Sequence, residues 1–101
     1  MSIKNVKINS VHFKADNKLE NFIKKKIEKL VETYDNVIGS DVTLRLEKTS
    51  DENNKVAEIR LMVPGNDLFA KKQSKTFEES AGNAVNALRK QLIKYKDKIK
   101  K

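Results

Sequence analysis

From Leu19 onward the apolar residues of this chain change their spacing twice, and that change constrains the fold more than any other feature. Leu19, Phe22, Ile23, Ile27, Leu30, Val31 and Tyr34 recur at intervals of three and four, the period of one helical face. From Val42 the period drops to two. Val42, Leu44 and Leu46 alternate with Thr43, Arg45 and Glu47, and Ala57, Ile59, Leu61 and Val63 alternate with Glu58, Arg60 and Met62. From Phe77 the helical period returns through Ala81, Ala84, Val85, Leu88, Leu92, Tyr95 and Ile99. Strands with one apolar face and helices with one apolar stripe must bury those surfaces against each other.

The ends of the elements carry their own signals. Val6 and Ile8 alternate with Asn5, Lys7 and Asn9 as a first strand, which Val11 and Phe13 extend after a change of face, with His12 as an ordinary strand residue. Asp16 is a good N-cap, since its carboxylate can accept from the exposed N–H groups of a first turn. Asp35 to Ser40, with Asn36 and Gly39, reads as a connection, Thr49 to Asn54 as a hairpin loop, and Pro64-Gly65-Asn66-Asp67 as a turn. Leu68 and Ala70 then face one way and Phe69 and Lys71 the other in a weaker fourth strand. Thr76 and Glu79 have capping-box spacing at the start of the last helix. Gly82 weakens that helix by about 1 kcal/mol relative to Ala, and a close approach to the sheet is one reason to place it there. The expectation is an α+β fold of order β-α-β-β-β-α. It has a four-stranded sheet, its last three strands an antiparallel meander, with two helices packed on one face and residues 1–101 forming a single domain.

Much chemistry is excluded. Cysteine is absent, so thiolate catalysis and disulfides are impossible. This is consistent with a reducing cytoplasm. His12 is the only histidine and has no partner at metal-ligand spacing. The three glycines form no phosphate-binding loop. Glu78 and Glu79 are explained by the positive end of the helix dipole. No catalytic residue, metal site or cofactor is expected. The first residues lack the apolar core of a secretory signal, and no run approaches the roughly 20 apolar residues of a membrane span.

What remains is charge. The chain carries 22 basic and 14 acidic residues, a formal net charge of +8. Leu88 to Lys101 alone holds seven basic residues against Asp97, whereas Asp35 to Gly65 is net negative. Concentrated in this way, charge points to a polyanion, because each ammonium meeting a phosphate releases condensed counterions. Arg89, Lys90, Lys94, Lys96 and Lys98 lie on the last helix, and Lys24, Lys25, Lys26 and Lys29 on the first. The competing reading, that these lysines only solvate helix faces, holds for any one of them but poorly for six excess charges in one short segment. Phe22, Tyr34, Phe77 and Tyr95 fall on apolar stripes and are expected in the core. Phe69 alone is a candidate for the open sheet face. Recognition of shape and phosphate is therefore expected, not stacking on a pair of sheet aromatics.

The segment Leu88-Arg-Lys-Gln-Leu-Ile-Lys-Tyr-Lys-Asp-Lys-Ile-Lys100 resembles the second-helix ending of the ribosome hibernation-promoting factor and ribosome-associated translation inhibitor family. Lys26-Ile27-Glu28-Lys29-Leu30 before Tyr34-Asp35 resembles the family's first helix. The resemblance covers essentially the whole chain and implies the same strand order, with both helices on one face. It further implies binding to the small ribosomal subunit and its rRNA in the channel used by mRNA and tRNA, and inhibition of translation in stationary or stressed bacteria. Carried over by position, the RNA-facing residues are Lys26, Lys29, Lys90, Gln91, Lys94, Lys96 and Lys98. Arg89 is added from charge clustering alone. The sequence departs from the family at Thr76-Phe77-Glu78, where members often carry an acidic residue, a hydrophobic one and tyrosine. It also departs at Gly82 and Ala87. Its end at Lys101 matches the short members, so it is expected to pair ribosomes with a separate ribosome-dimerising factor or to occupy them singly, and to be monomeric when free. Two other readings stay open: a double-stranded RNA binder acting off the ribosome, and a basic module for protein or anionic surfaces. Membrane insertion is disfavoured, because the core needs the apolar stripe of the last helix.

Overall fold

Each change of period becomes one change of element in the computed structural model. The order is β1 (Asn5–Val11), α1 (Asn17–Val31), β2 (Gly39–Leu46), β3 (Lys55–Met62), β4 (Leu68–Ser74) and α2 (Phe77–Ile99). The structure describes residues 5–32, 34, 37–47 and 52–99, with backbone alone for Asn5 and residues 97–99. Parts of two expected connections, residues 35–36 and 49–51, lie outside the described residues.

The strands form one sheet in the order β1-β2-β3-β4. α1 carries the chain back over the sheet, so β1 and β2 are parallel, while β2, β3 and β4 form the antiparallel meander. One register aligns the apolar positions across all four strands: Ile8 faces Val42, Val42 faces Ile59, and Ile59 faces Ala70. A slip of one residue would turn every one of them to solvent, which is why the alternation specifies the pairing. Leu19, Ile23, Ile27, Leu30 and Val31 of α1 and Phe77, Ala81, Ala84, Val85, Leu88 and Leu92 of α2 join those strand residues in one buried cluster. Both helices therefore cover the same face.

The helices run side by side in the same direction. Phe13, just before α1, stacks on Phe77 at the start of α2, with ring centroids 4.4 Å apart and planes 9° from parallel. At the other end the Lys96 ammonium, late in α2, lies 5.3 Å from the ring centroid of Tyr34, just past α1. The two negative dipole ends therefore lie at the same end of the layer.

The caps form largely as expected. Asp16 Oδ1 accepts from Leu19 N–H at 2.8 Å, and Thr76 Oγ1 from Glu79 N–H at 3.1 Å. The return bond from Glu79 to the Thr76 N–H is not made. Instead the buried hydroxyls of Ser74 and Ser80 donate to the carbonyls of Thr76 (2.9 Å) and Lys55 (2.5 Å), tying the first turn of α2 to β3.

Four local expectations need correction. β1 stops at Val11, and His12 is not a strand residue: its φ of 69° is left-handed, with Nδ1 3.3 Å from the Leu46 carbonyl oxygen. Phe13 keeps the apolar alternation because it packs on α2, not because the strand continues. β2 begins at Gly39, inside the expected connection. Gly82 makes no close approach, since a Cβ placed there meets nothing within 4 Å.

Candidate nucleic-acid interface

The stripe that buries one side of α2 dictates what the other sides present. With Leu88 and Leu92 fully buried, Arg89, Lys90, Lys94 and Lys96 must point outward, and all four are exposed. Lys24, Lys25, Lys26 and Lys29 are exposed on α1 for the same reason. Lys98 is in the last turn of α2, and its side chain lies outside the described residues.

Two contacts orient α2 further. Lys96 reaches Tyr34, so that flank looks toward α1, and helical spacing puts Arg89 and the half-exposed Ile93 on it as well. On the opposite flank the Gln91 amide donates to the Phe69 carbonyl at 2.8 Å, and the Tyr95 hydroxyl to the Pro64 carbonyl at 3.1 Å. The expected RNA-facing residues are thus divided. Lys90 and Lys94 lie on the outer and β4 side, Arg89 and Lys96 on the α1 side, and Gln91 holds the edge of the sheet. On α1, Lys26 sits 5.4 Å from the Phe22 ring centroid. Its i, i+4 spacing made that contact legible in the sequence. The Lys96–Tyr34 contact spans two elements and had no local signal.

None of Lys26, Lys29, Arg89, Lys90, Lys94 or Lys96 is in an ion pair among the described residues. Lys29 and Lys96 also stand near helix C-termini, where the peptide dipoles would otherwise present about half a negative charge each. The positive charge of the two lysines opposes that dipole field.

The open face of the sheet differs. Lys7, Asp41, Arg60 and Phe69 form one row across the four strands, and Asn9, Thr43, Glu58 and Lys71 the next. Arg45 donates to Glu58 at 2.6 Å, diagonally across β2 and β3, and Lys71 lies 3.9 Å from the same carboxylate. The hydrogen bond and charge of Glu58 raise the Arg45 pKa above its usual value. Arg60 stands 5.9 Å from the centroid of the exposed Phe69 ring. Arg45, Glu58 and Lys71 are thus answered within the protein, while Lys7, Asp41 and Arg60 form no ion pair among the described residues.

Among the described residues there is no His, Asp and Glu cluster able to hold a metal ion, and no helix is long and apolar enough to cross a membrane. The structure is thus a small α+β fold that presents two parallel basic helices on one layer. Residues 6–100 match the family model described as Sigma 54 modulation protein / S30EA ribosomal protein, and the chain belongs to that family. It is a family of ribosome-associated, non-enzymatic binding proteins. Membership supports a ribosome-binding role, and the chain is not an enzyme.

Solved structures agree on the fold. A ribosomal subunit interface protein from Coxiella burnetii superposes with a TM-score of 0.81 at 16% identity, over 92% of this chain and 98% of that one. The N-terminal domain of Protein Y from Thermus thermophilus gives 0.76 at 18% identity, over 90% and 98%. No curated protein sequence matches the chain.

Proposed function

We propose that residues 1–101 act as one cytoplasmic ribosome-binding unit. The unit lays α1 and α2 against the rRNA of the small subunit, occupies the channel used by mRNA and tRNA, and inhibits translation in stationary phase or stress. Lys26, Lys29, Arg89, Lys90, Lys94, Lys96 and Lys98 supply the phosphate contacts. Gln91 acts by fixing α2 to β4. The observation that carries this reading is the set of exposed cations on two parallel helices, none of them in an ion pair among the described residues, in a chain whose family is ribosome-associated. The name of the Coxiella burnetii neighbour supports a place at the subunit interface.

The test is sedimentation with bacterial ribosomes at low and high salt, with translation assayed in parallel. The expected result is salt-sensitive cosedimentation with the small subunit together with inhibition. Binding to free RNA duplex without cosedimentation would instead establish an RNA-binding module acting off the ribosome. Parallel sedimentation of 70S and paired ribosomes decides between single occupancy and pairing through a separate dimerising factor.

A further inference from the structure

Between the β3–β4 turn and the outer flank of α2 lies an open groove of about 530 Å³, lined by Pro64, Asn66, Leu68, Gln91, Lys94 and Tyr95. Its size is within the range of small-molecule sites. The walls are of two kinds. Leu68, Pro64 and the Tyr95 ring give apolar surface, while Asn66 and the turn backbone give polar edges. The ring is fixed before any ligand arrives, because its hydroxyl is tied to the Pro64 carbonyl at 3.1 Å, and Gln91 holds the neighbouring strand at 2.8 Å. One cation, Lys94, belongs to the lining, and Lys90 is one helical turn away, exposed and in no ion pair among the described residues.

An open groove with apolar walls, polar edges, one lining cation and a second a helical turn away matches one class of ligand. We infer that this groove takes the base of an unpaired RNA nucleotide, with its flanking phosphates on Lys94 and Lys90. The inference rests on the reading that α2 meets RNA, and it adds something that reading lacks. A duplex offers only phosphate and groove edges to a helix, whereas a bulged or single-stranded nucleotide can splay its base against an aromatic wall. Charge complementarity argues for the nucleotide over an apolar peptide, since seven of the eight charged residues from Leu88 to Lys101 are basic.

The experiment uses the full chain and two probes, oligo(A) dodecanucleotide and an RNA duplex of equal length. Anisotropy measures affinity, and NMR follows the Leu68 methyls and the Tyr95 ring. Oligo(A) is expected to shift both resonances, and Tyr95→Leu to weaken oligo(A) about tenfold, the size of one lost base stack. Tyr95→Phe, which keeps the ring but loses its tie to the Pro64 carbonyl, should weaken oligo(A) clearly less than Tyr95→Leu does. Duplex affinity should stay unchanged in both variants, which a merely misfolded α2 could not achieve. If oligo(A) leaves the Leu68 and Tyr95 resonances still, or fails to bind, the groove assignment is overturned. The wild-type spectra decide this even where Tyr95→Leu unfolds. Ribosome cosedimentation of the wild type is scored separately, so the groove can fail while the ribosome reading stands, and the reverse.

Discussion

The open face of the sheet and the helix layer on its other face handle their charged side chains in opposite ways. On the open face, Arg45, Glu58 and Lys71 close on one another, and Arg60 lies against Phe69. On the helix layer the exposed cations of α1 and α2 meet no carboxylate among the described residues. Paired surface charges have little left to offer a partner and contribute modestly to stability. Unpaired ones crowded on adjacent helices repel each other until a polyanion arrives. The net charge of the chain therefore does not locate its partner. The distribution of ion pairs among the described residues says more, and it is what supports the proposed interface on the helix layer.

The largest effect that could break this contrast is charge reversal. Lys90→Glu, Lys94→Glu and Lys98→Glu together should reduce ribosome binding by at least about a hundredfold and flatten its salt dependence. Each phosphate left without its cation takes roughly 0.7–0.9 off the slope of log affinity against log salt. The helix should survive, because Lys90 and Lys94 are exposed. The matching control is Glu58→Gln on the open face, which frees Arg45 and Lys71. If freeing them raises affinity as much as the reversals lower it, the open face also meets the ribosome and the contrast collapses.

A second test concerns the packing beneath each face. Leu92 is fully buried under α2, and Leu92→Ala should destabilise the domain by about 2–5 kcal/mol. Val56 is also fully buried, but on the open face, between Arg45 and Gln73 and outside the main cluster. Val56→Ala removes fewer methyl groups beneath polar side chains that can settle inward, so a loss of roughly 1–2 kcal/mol is expected. Thermal melts by circular dichroism measure both. Equal losses would mean that the open face is as tightly packed as the helix layer, and that its charges are held by a second core.

The sequence made the sheet legible because the alternation of Val42–Leu46 and Ala57–Val63 has only one register that buries it. It made the helices legible because Asp16 and Thr76 cap stripes of unbroken period. The expectation failed where chain direction was set by something distant. The alternation through Val11 and Phe13 looks like a strand, yet Phe13 is apolar to meet Phe77, more than sixty residues away. The candidate site was legible as a set of cations and opaque as an arrangement. Spacing along α2 showed that Arg89, Lys90, Lys94 and Lys96 are off the stripe. It could not show which flank looks toward α1, or that Gln91 and Tyr95 hold the other flank to β4 and the β3–β4 turn. Those facts depend on how α2 is rotated over the sheet, which local periodicity does not encode.

The smallest expected effect sharpens the contrast by changing the helix layer without touching its charge. Gly82 lies in the interior of α2, about two turns before Arg89, the first cation of that helix. Its position is half-exposed, its φ is not in the left-handed region, and an added Cβ meets nothing within 4 Å. No conformational or steric demand for glycine remains, so the entropy cost of ordering it is uncompensated. Gly82→Ala should stabilise the domain by about 0.5–1 kcal/mol, measured as a higher melting temperature. Ribosome affinity should not change. If binding depends on the density of unpaired cations alone, a stiffer but equally charged helix binds equally well. A gain in affinity that tracks the gain in stability would instead mean that α2 is partly frayed when free and orders on the ribosome, and that the cost of ordering, along with charge, limits the interaction.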